Sequence, residues 1–271
     1  MTLSSRGRTW FELLTSSTGS REDGPRTVLT ANAHLGKHVA RFLAVVPDPA
    51  NRFPRARHGE VGLDEGWALA REVRDTIRDD EGHVARPIIA IVDVSSQAYG
   101  RREELLGIHL ACAAAADAYA SARLAGHPVI ALLVGRAMSG AFLAHGYQAN
   151  RILALDSPEV LIHAMGKQAA ARVTRRSVEE LEQLGECIPP MAYHVRAFAS
   201  LGLLHRLISG VNADAPSVVD VERVRRELVD AIADTRKGGP DLFRRLLGDA
   251  ARQTRAASIE VRRRLAEQWD G

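Results

Sequence analysis

The chemistry of this chain is most legible in Val134-Gly135-Arg136-Ala137-Met138-Ser139-Gly140-Ala141-Phe142-Leu143-Ala144-His145-Gly146. An apolar run over 128–134 leads into small residues, and a helix-like pattern follows. Small side chains at Ser139, Gly140 and Ala141 leave backbone N–H groups open, and donors at a helix start can hold a carboxylate or an oxyanion. Close helix–sheet packing is the other use of small residues at such a turn. Ser95, Ser96 and Gln97 follow a strand-like run, at the carboxyl end where parallel sheets bind ligands. They can donate hydrogen bonds to a ligand, or serve as turn and cap residues before the next helix. His163 sits after another strand-like run and just before Met165-Gly166. It is either a proton-transfer group or a structural histidine bonded to a backbone carbonyl.

These groups need elements to hold them. Residues 87–94, 128–134 and 151–155 are near-continuous apolar runs, separated by helical patterns over 102–125 and 140–148. Such a rhythm predicts a mainly parallel, buried sheet with helical crossovers, an α/β fold. Two further strands are expected at 27–31 and 39–46, and a helix capped by Asp64 running through Ile77. Beyond Lys167 the chain reads as mostly helical, with faces over 191–207, 218–232, 242–247 and 250–269. The expected organisation is an N-terminal extension over 1–26 with one short amphipathic piece and a mobile loop, a main domain over 27–210, and a helical region over 211–271.

The composition bounds the function. The chain has 271 residues, 46% of them hydrophobic and 25% charged, with a net charge of +3. That suits a globular protein with a sizeable core. Basic residues cluster at Arg172, Arg175 and Arg176 and again at Arg262, Arg263 and Arg264, as solvated helix faces or a docking surface for an acidic partner. No aromatic residues interleave with them, which argues against nucleic acid. The two cysteines, Cys112 and Cys187, form neither a metal motif nor a disulfide framework. His34, His38, His58 and His83 lack ligand spacing, so no metal site is expected. No secretion signal and no membrane-spanning run is read, and a cytoplasmic location is the expectation.

Several motifs carry a resemblance. Asp93-Val94-Ser95-Ser96-Gln97-Ala98-Tyr99-Gly100, then Glu103-Glu104-Leu105-Leu106-Gly107-Ile108, and Ser139-Gly140-Ala141-Phe142 are similar to the carboxyl-terminal half of biotin-dependent acyl-CoA carboxyltransferases. Ser95-Ser96 stands where that family has Pro-Gly, and Ser139 where it has the first Gly of a Gly-Gly-Ala-Tyr turn. His163-Ala164-Met165-Gly166-Lys167, Ile188-Pro189-Pro190-Met191-Ala192-Tyr193 and Gly135-Arg136-Ala137-Met138 resemble the γ-subunit family of biotin-independent malonate decarboxylases. The resemblance spans about 27–210, with a weaker helical tail.

It implies a crotonase-like spiral of β-β-α units and a β subunit of related fold. It also implies an acyl carrier protein whose phosphopantetheine-type arm delivers substrate, with no cofactor bound by this chain. The implied reaction turns malonyl-S-acyl-carrier-protein into acetyl-S-acyl-carrier-protein and carbon dioxide. Gly140 and Ala141 then correspond to the backbone donor pair, with Ser139 beside them. His163 protonates the enolate carbon or contacts the carboxylate. Ser95, Ser96, Gln97, Met138 and Gly166 form the substrate-binding set. Two other readings compete. One is a serine hydrolase similar to Clp-type peptidases, built from Ser139, His163 and Asp214. The other is a non-catalytic scaffold for the β subunit.

Overall fold

The computed structural model describes residues 5–19 and 23–269. Its centre is a seven-stranded sheet in the order β1-β2-β3-β4-β5-β7, with β6 paired to β4. β1 (Val28–Leu35) and β2 (His38–Val45) form an antiparallel hairpin. Gly36 turns it at a φ of 59°. The other pairings, through β3 (Ile88–Val94), β4 (Val129–Met138), β5 (Arg151–Leu155), β6 (Ile162–His163) and β7 (Arg206–Ile208), are parallel. Every residue of β3 is buried, as expected for a strand covered on both faces.

Helices cover the sheet. α2 (Leu63–Asp79) packs on α4 (Ile108–Leu124), and the alanines of α4 explain how closely. A β-carbon on Gly66 would come within 2.8 Å of the Ala111 backbone, so only glycine allows this crossing. Ala111, Ala115, Ala118 and Ala122 form the buried stripe of α4. Glu65, fully buried, closes the start of α2. Its carboxylate accepts from the Gly62 N–H at 3.0 Å, the Thr27 hydroxyl at 2.5 Å and the Asn51 amide at 2.8 Å. The cap is therefore Gly62 with Glu65. Asp64 instead accepts from the Arg52 guanidinium at 2.7 Å on the surface.

Other expectations also change. The helix read over 102–125 is two helices, α3 (Arg101–Leu105) and α4, because Gly107 adopts a φ of 83° between them. The face read over 191–207 holds only α8 (Val195–Ser200) before β7, and 242–247 contains a short 3-10 turn. α6 (Lys167–Thr174) and α7 (Val178–Cys187) precede α8, and α9 (Val218–Gly238) follows β7. α10 (Asp249–Thr254) and α11 (Ala256–Trp269) divide the last stretch.

The N-terminal segment is not an appendage. α1 (Arg6–Thr15) inserts Trp10, Phe11 and Leu14 into the main core. The Trp10 indole N–H donates to the Ala213 carbonyl at 2.9 Å. The expected loop before Pro25 falls partly on residues 20–22, outside those described.

Candidate active site

The carboxyl ends of β3 and β4 open onto a cavity of about 700 Å³. β3 and the turn after it supply Asp93, Ser95 and Ser96; β4 supplies Arg136 and Met138. Leu161, Gly166, Lys167, Gln168 and Tyr193 form the facing wall, and Pro47, His58 and Glu60 the rim.

Asp93 fixes the floor. Its carboxylate accepts from the Arg136 N–H at 3.0 Å and the Gly7 N–H at 3.3 Å. It also fills the place a β-carbon on Gly135 would take. Glycine at 135 therefore lets the end of β3 lock onto β4 and onto α1. Arg6 continues the brace. It donates to Asp214 at 2.6 and 2.7 Å, to the Val134 carbonyl at 3.3 Å and to the Ser157 hydroxyl at 3.3 Å.

The turn from β4 into α5 (Ser139–Ala144) lies beside the cavity. Ser139 sits at a φ of 59°, a left-handed conformation that stores strain in a non-glycine residue. The N–H groups of Ser139, Gly140 and Ala141 are first-turn donors, which no intrahelical carbonyl can satisfy. Gln97 lies against this turn, because a β-carbon on Gly140 would land on its Oε1 and within 2.9 Å of its Cδ.

Of the expected substrate-binding set, Ser95, Ser96, Met138 and Gly166 share the cavity wall. Gln97, Ser139, Gly140, Ala141 and His163 are not on that wall. His163 lies behind it. Its ring stacks on Tyr193 at 4.0 Å between centroids, and its Nδ1 is 3.0 Å from the Met165 carbonyl and 3.2 Å from the Met165 N–H. Burial pushes the His163 pKa down, with the Met165 carbonyl opposing, and burial pushes the Tyr193 phenol up. Both effects favour the uncharged forms at neutral pH.

The serine-hydrolase triad does not assemble. Asp214 is taken by Arg6, and the His163 Nδ1 that it would need to orient is held by Met165. A general base without its carboxylate lacks the arrangement that activates serine.

Two wall residues lacked a role in the sequence reading. Tyr193 has a buried hydroxyl with no hydrogen-bond partner among the described residues, and so does Ser95. The Arg136 guanidinium makes no hydrogen bond or ion pair with any described residue. A charged side chain near the end of an otherwise apolar strand was the available signal for Arg136.

Comparison with known proteins is consistent with this geometry. The family model described as malonate decarboxylase gamma subunit matches residues 56–269. The chain belongs to that family. It is 36% identical over 228 residues to the malonyl-S-ACP:biotin-protein carboxyltransferase of Malonomonas rubra, covering 82% of this chain and 78% of that one. It is 56% identical to a chain of a Pseudomonas malonate decarboxylase hetero-tetramer solved with coenzyme A, with a TM-score of 0.94 over 98% of this chain and all of that one. The match to the Pseudomonas MdcD-MdcE hetero-dimer is 55% identical, with a TM-score of 0.90 and the same coverage. A transcarboxylase 12S chain, 20% identical with a TM-score of 0.57, covers 78% of this chain and 36% of its own length and shares the fold.

Malonate decarboxylase γ subunits thus have the crotonase-like α/β fold of carboxyltransferases, and this chain is a subunit of a malonate-decarboxylating enzyme. Among the described residues, no group of three His, Cys, Asp or Glu could hold a metal ion, and no helix is long and apolar enough to cross a membrane.

Proposed function

We propose that this chain, joined to a β subunit of related fold, decarboxylates malonyl-S-acyl-carrier-protein to the acetyl thioester and carbon dioxide. The observation that carries this reading is a cavity lined by Ser95 and Tyr193, whose buried hydroxyls have no partner among the described residues, beside the first turn of α5. Donors without acceptors suit a substrate that brings oxygen atoms of its own.

The chemistry follows from charge movement. The C–C bond to the carboxylate breaks, its electron pair becomes an enolate, and carbon dioxide leaves. A proton then closes the acetyl group. Donors aimed at the oxygen that gains charge lower the barrier, and the Gly140 and Ala141 N–H groups are assigned that work at the joint with the β subunit. The Ser139 conformation holds them in place. Ser95, Ser96, Met138 and Gly166 orient the malonyl group, and Gln97 shields the turn. His163 acts through the Tyr193 ring it stacks on.

The hetero-dimer and hetero-tetramer of the Pseudomonas relatives, one of them solved with malonate, support a shared site. The Malonomonas rubra relative supports a carrier-protein thioester as substrate, with a phosphopantetheine arm reaching the cavity. Ser95-Ser96 and Ser139, where biotin-dependent relatives carry other residues, favour direct loss of carbon dioxide without biotin. The two free cysteines, Cys112 and Cys187, suit the reducing cytoplasm proposed for it.

The test is reconstitution. The β subunit, this chain and their mixture are each supplied with malonyl carrier protein, and acetyl carrier protein is measured by mass, with and without avidin. Activity only in the mixture, insensitive to avidin, is expected. Full activity of the β subunit alone would reduce this chain to a support, and inhibition by avidin would restore a biotin step.

A further inference from the structure

The cavity holds a cation that no described residue pairs with. Arg136 reaches it from β4, three residues before the α5 turn. The other charges there are engaged. Lys167 pairs with Glu182 at 2.5 Å. Asp93 is held by the backbone N–H groups of Gly7 and Arg136. Glu60 accepts from the His58 N–H at 2.7 Å. A guanidinium presents five donors in a flat fork that matches a carboxylate or phosphate. Arg136 shares that wall with Ser95 and Tyr193, whose buried hydroxyls have no hydrogen-bond partner among the described residues.

We propose that Arg136 recognises the free carboxylate of the malonyl group, with the Ser95 and Tyr193 hydroxyls completing the site. This rests on the decarboxylase reading above and adds a division of labour to it. The pairing is strongest before reaction, while the carboxylate carries full charge. As the C–C bond breaks, the charge moves to the enolate oxygen and carbon dioxide leaves neutral. Arg136 therefore selects and seats the substrate without lowering the barrier. The acetyl product lacks the anchoring group and is released more readily.

The experiment uses the reconstituted complex with malonyl carrier protein as substrate and acetyl carrier protein as product inhibitor. In Arg136→Gln, KM rises roughly 10- to 100-fold, kcat moves less than about threefold, and inhibition by the acetyl form is unchanged. Arg136→Lys keeps the charge but not the fork and falls between the two. A KM equal to the parent's in both variants overturns the assignment. So does weakening of acetyl inhibition in parallel with the KM, which marks general damage. If the Gln variant does not join the β subunit, the Lys variant decides by the same criteria. An inactive parent complex would instead strike the decarboxylase reading itself.

Discussion

The amide of Gln97 occupies the space that a side chain on Gly140 would need: Gln97 Cδ lies 2.9 Å from that β-carbon position. The two residues come from different strand ends, β3 and β4, and each limits what the other position can hold. Gly140→Ala is expected to push Gln97 aside and distort the turn. A β-branched residue does more, and Gly140→Val should lower kcat on the order of 100-fold, the usual loss for one oxyanion donor. Gln97→Ala in the Gly140→Ala background should recover part of the rate. Steady-state kinetics of the assembled complex checks both, and no recovery in the double variant would show that the clash is not the cause.

Ser139 is read as a conformational residue. With its φ of 59°, glycine should relieve about 1 kcal/mol of strain. Ser139→Gly should therefore raise the midpoint of urea unfolding and keep most of the turnover. A fluorophosphonate should not label the native chain. Loss of all activity in Ser139→Gly, or stoichiometric labelling at Ser139, would bring back a nucleophilic serine.

Tyr193 and Ser95 separate stability from function. Each hydroxyl is buried with no partner among the described residues, so removing it orphans none of them. Tyr193→Phe and Ser95→Ala should match the parent's stability or exceed it by about 1 kcal/mol, while kcat/KM falls on the order of tenfold. Thermal melts paired with kinetics provide the check. A drop in stability with unchanged kinetics would return both residues to packing.

His145 predicts a pH dependence of stability. It is fully buried, with Nδ1 2.9 Å from the Tyr119 hydroxyl and Nε2 2.9 Å from the Ile91 carbonyl. Burial lowers its pKa to about 4, while the Ile91 carbonyl pulls it upward. The unfolded chain, near the ordinary value of about 6.5, binds a proton first as pH falls. The stability associated with neutral His145 is present above about pH 6.5 and is lost between there and about pH 4, by roughly 3 kcal/mol. Denaturant unfolding at pH 7 and pH 4.5 should show this loss, and His145→Gln should flatten the slope. An equal slope in the variant would place the acid sensitivity elsewhere.

Particular residues show what the sequence alone revealed. β5 was readable to the residue, because residues 152–155 are an unbroken apolar run that follows Arg151 and a polar turn. The break at Gly107 was not, since an isolated glycine in a helical pattern is often tolerated and its φ of 83° is visible only in the structure. α1 was mistaken for an extension because five residues, Trp10 to Leu14, carry too little periodicity to declare a core face. Ser95, Ser96, Met138 and Gly166 could be assembled through motifs before any coordinates. Arg136 could not, because nothing local reveals that a cation lacks a partner. That knowledge requires every neighbouring carboxylate to be placed in space.

The bracing of the site by α1 bears on how the protein matures. Arg6 and its carboxylate partner, Asp214, lie 208 positions apart in the chain. α1 gains this partner only once the region around Asp214 has been made, and contacts of such long span form late and slowly. A form ending before Asp214 would lack this carboxylate and hold Arg6 only through the Val134 carbonyl and Ser157. The brace under the site is then coupled to synthesis of a segment far along the chain, well after the strands that line the cavity.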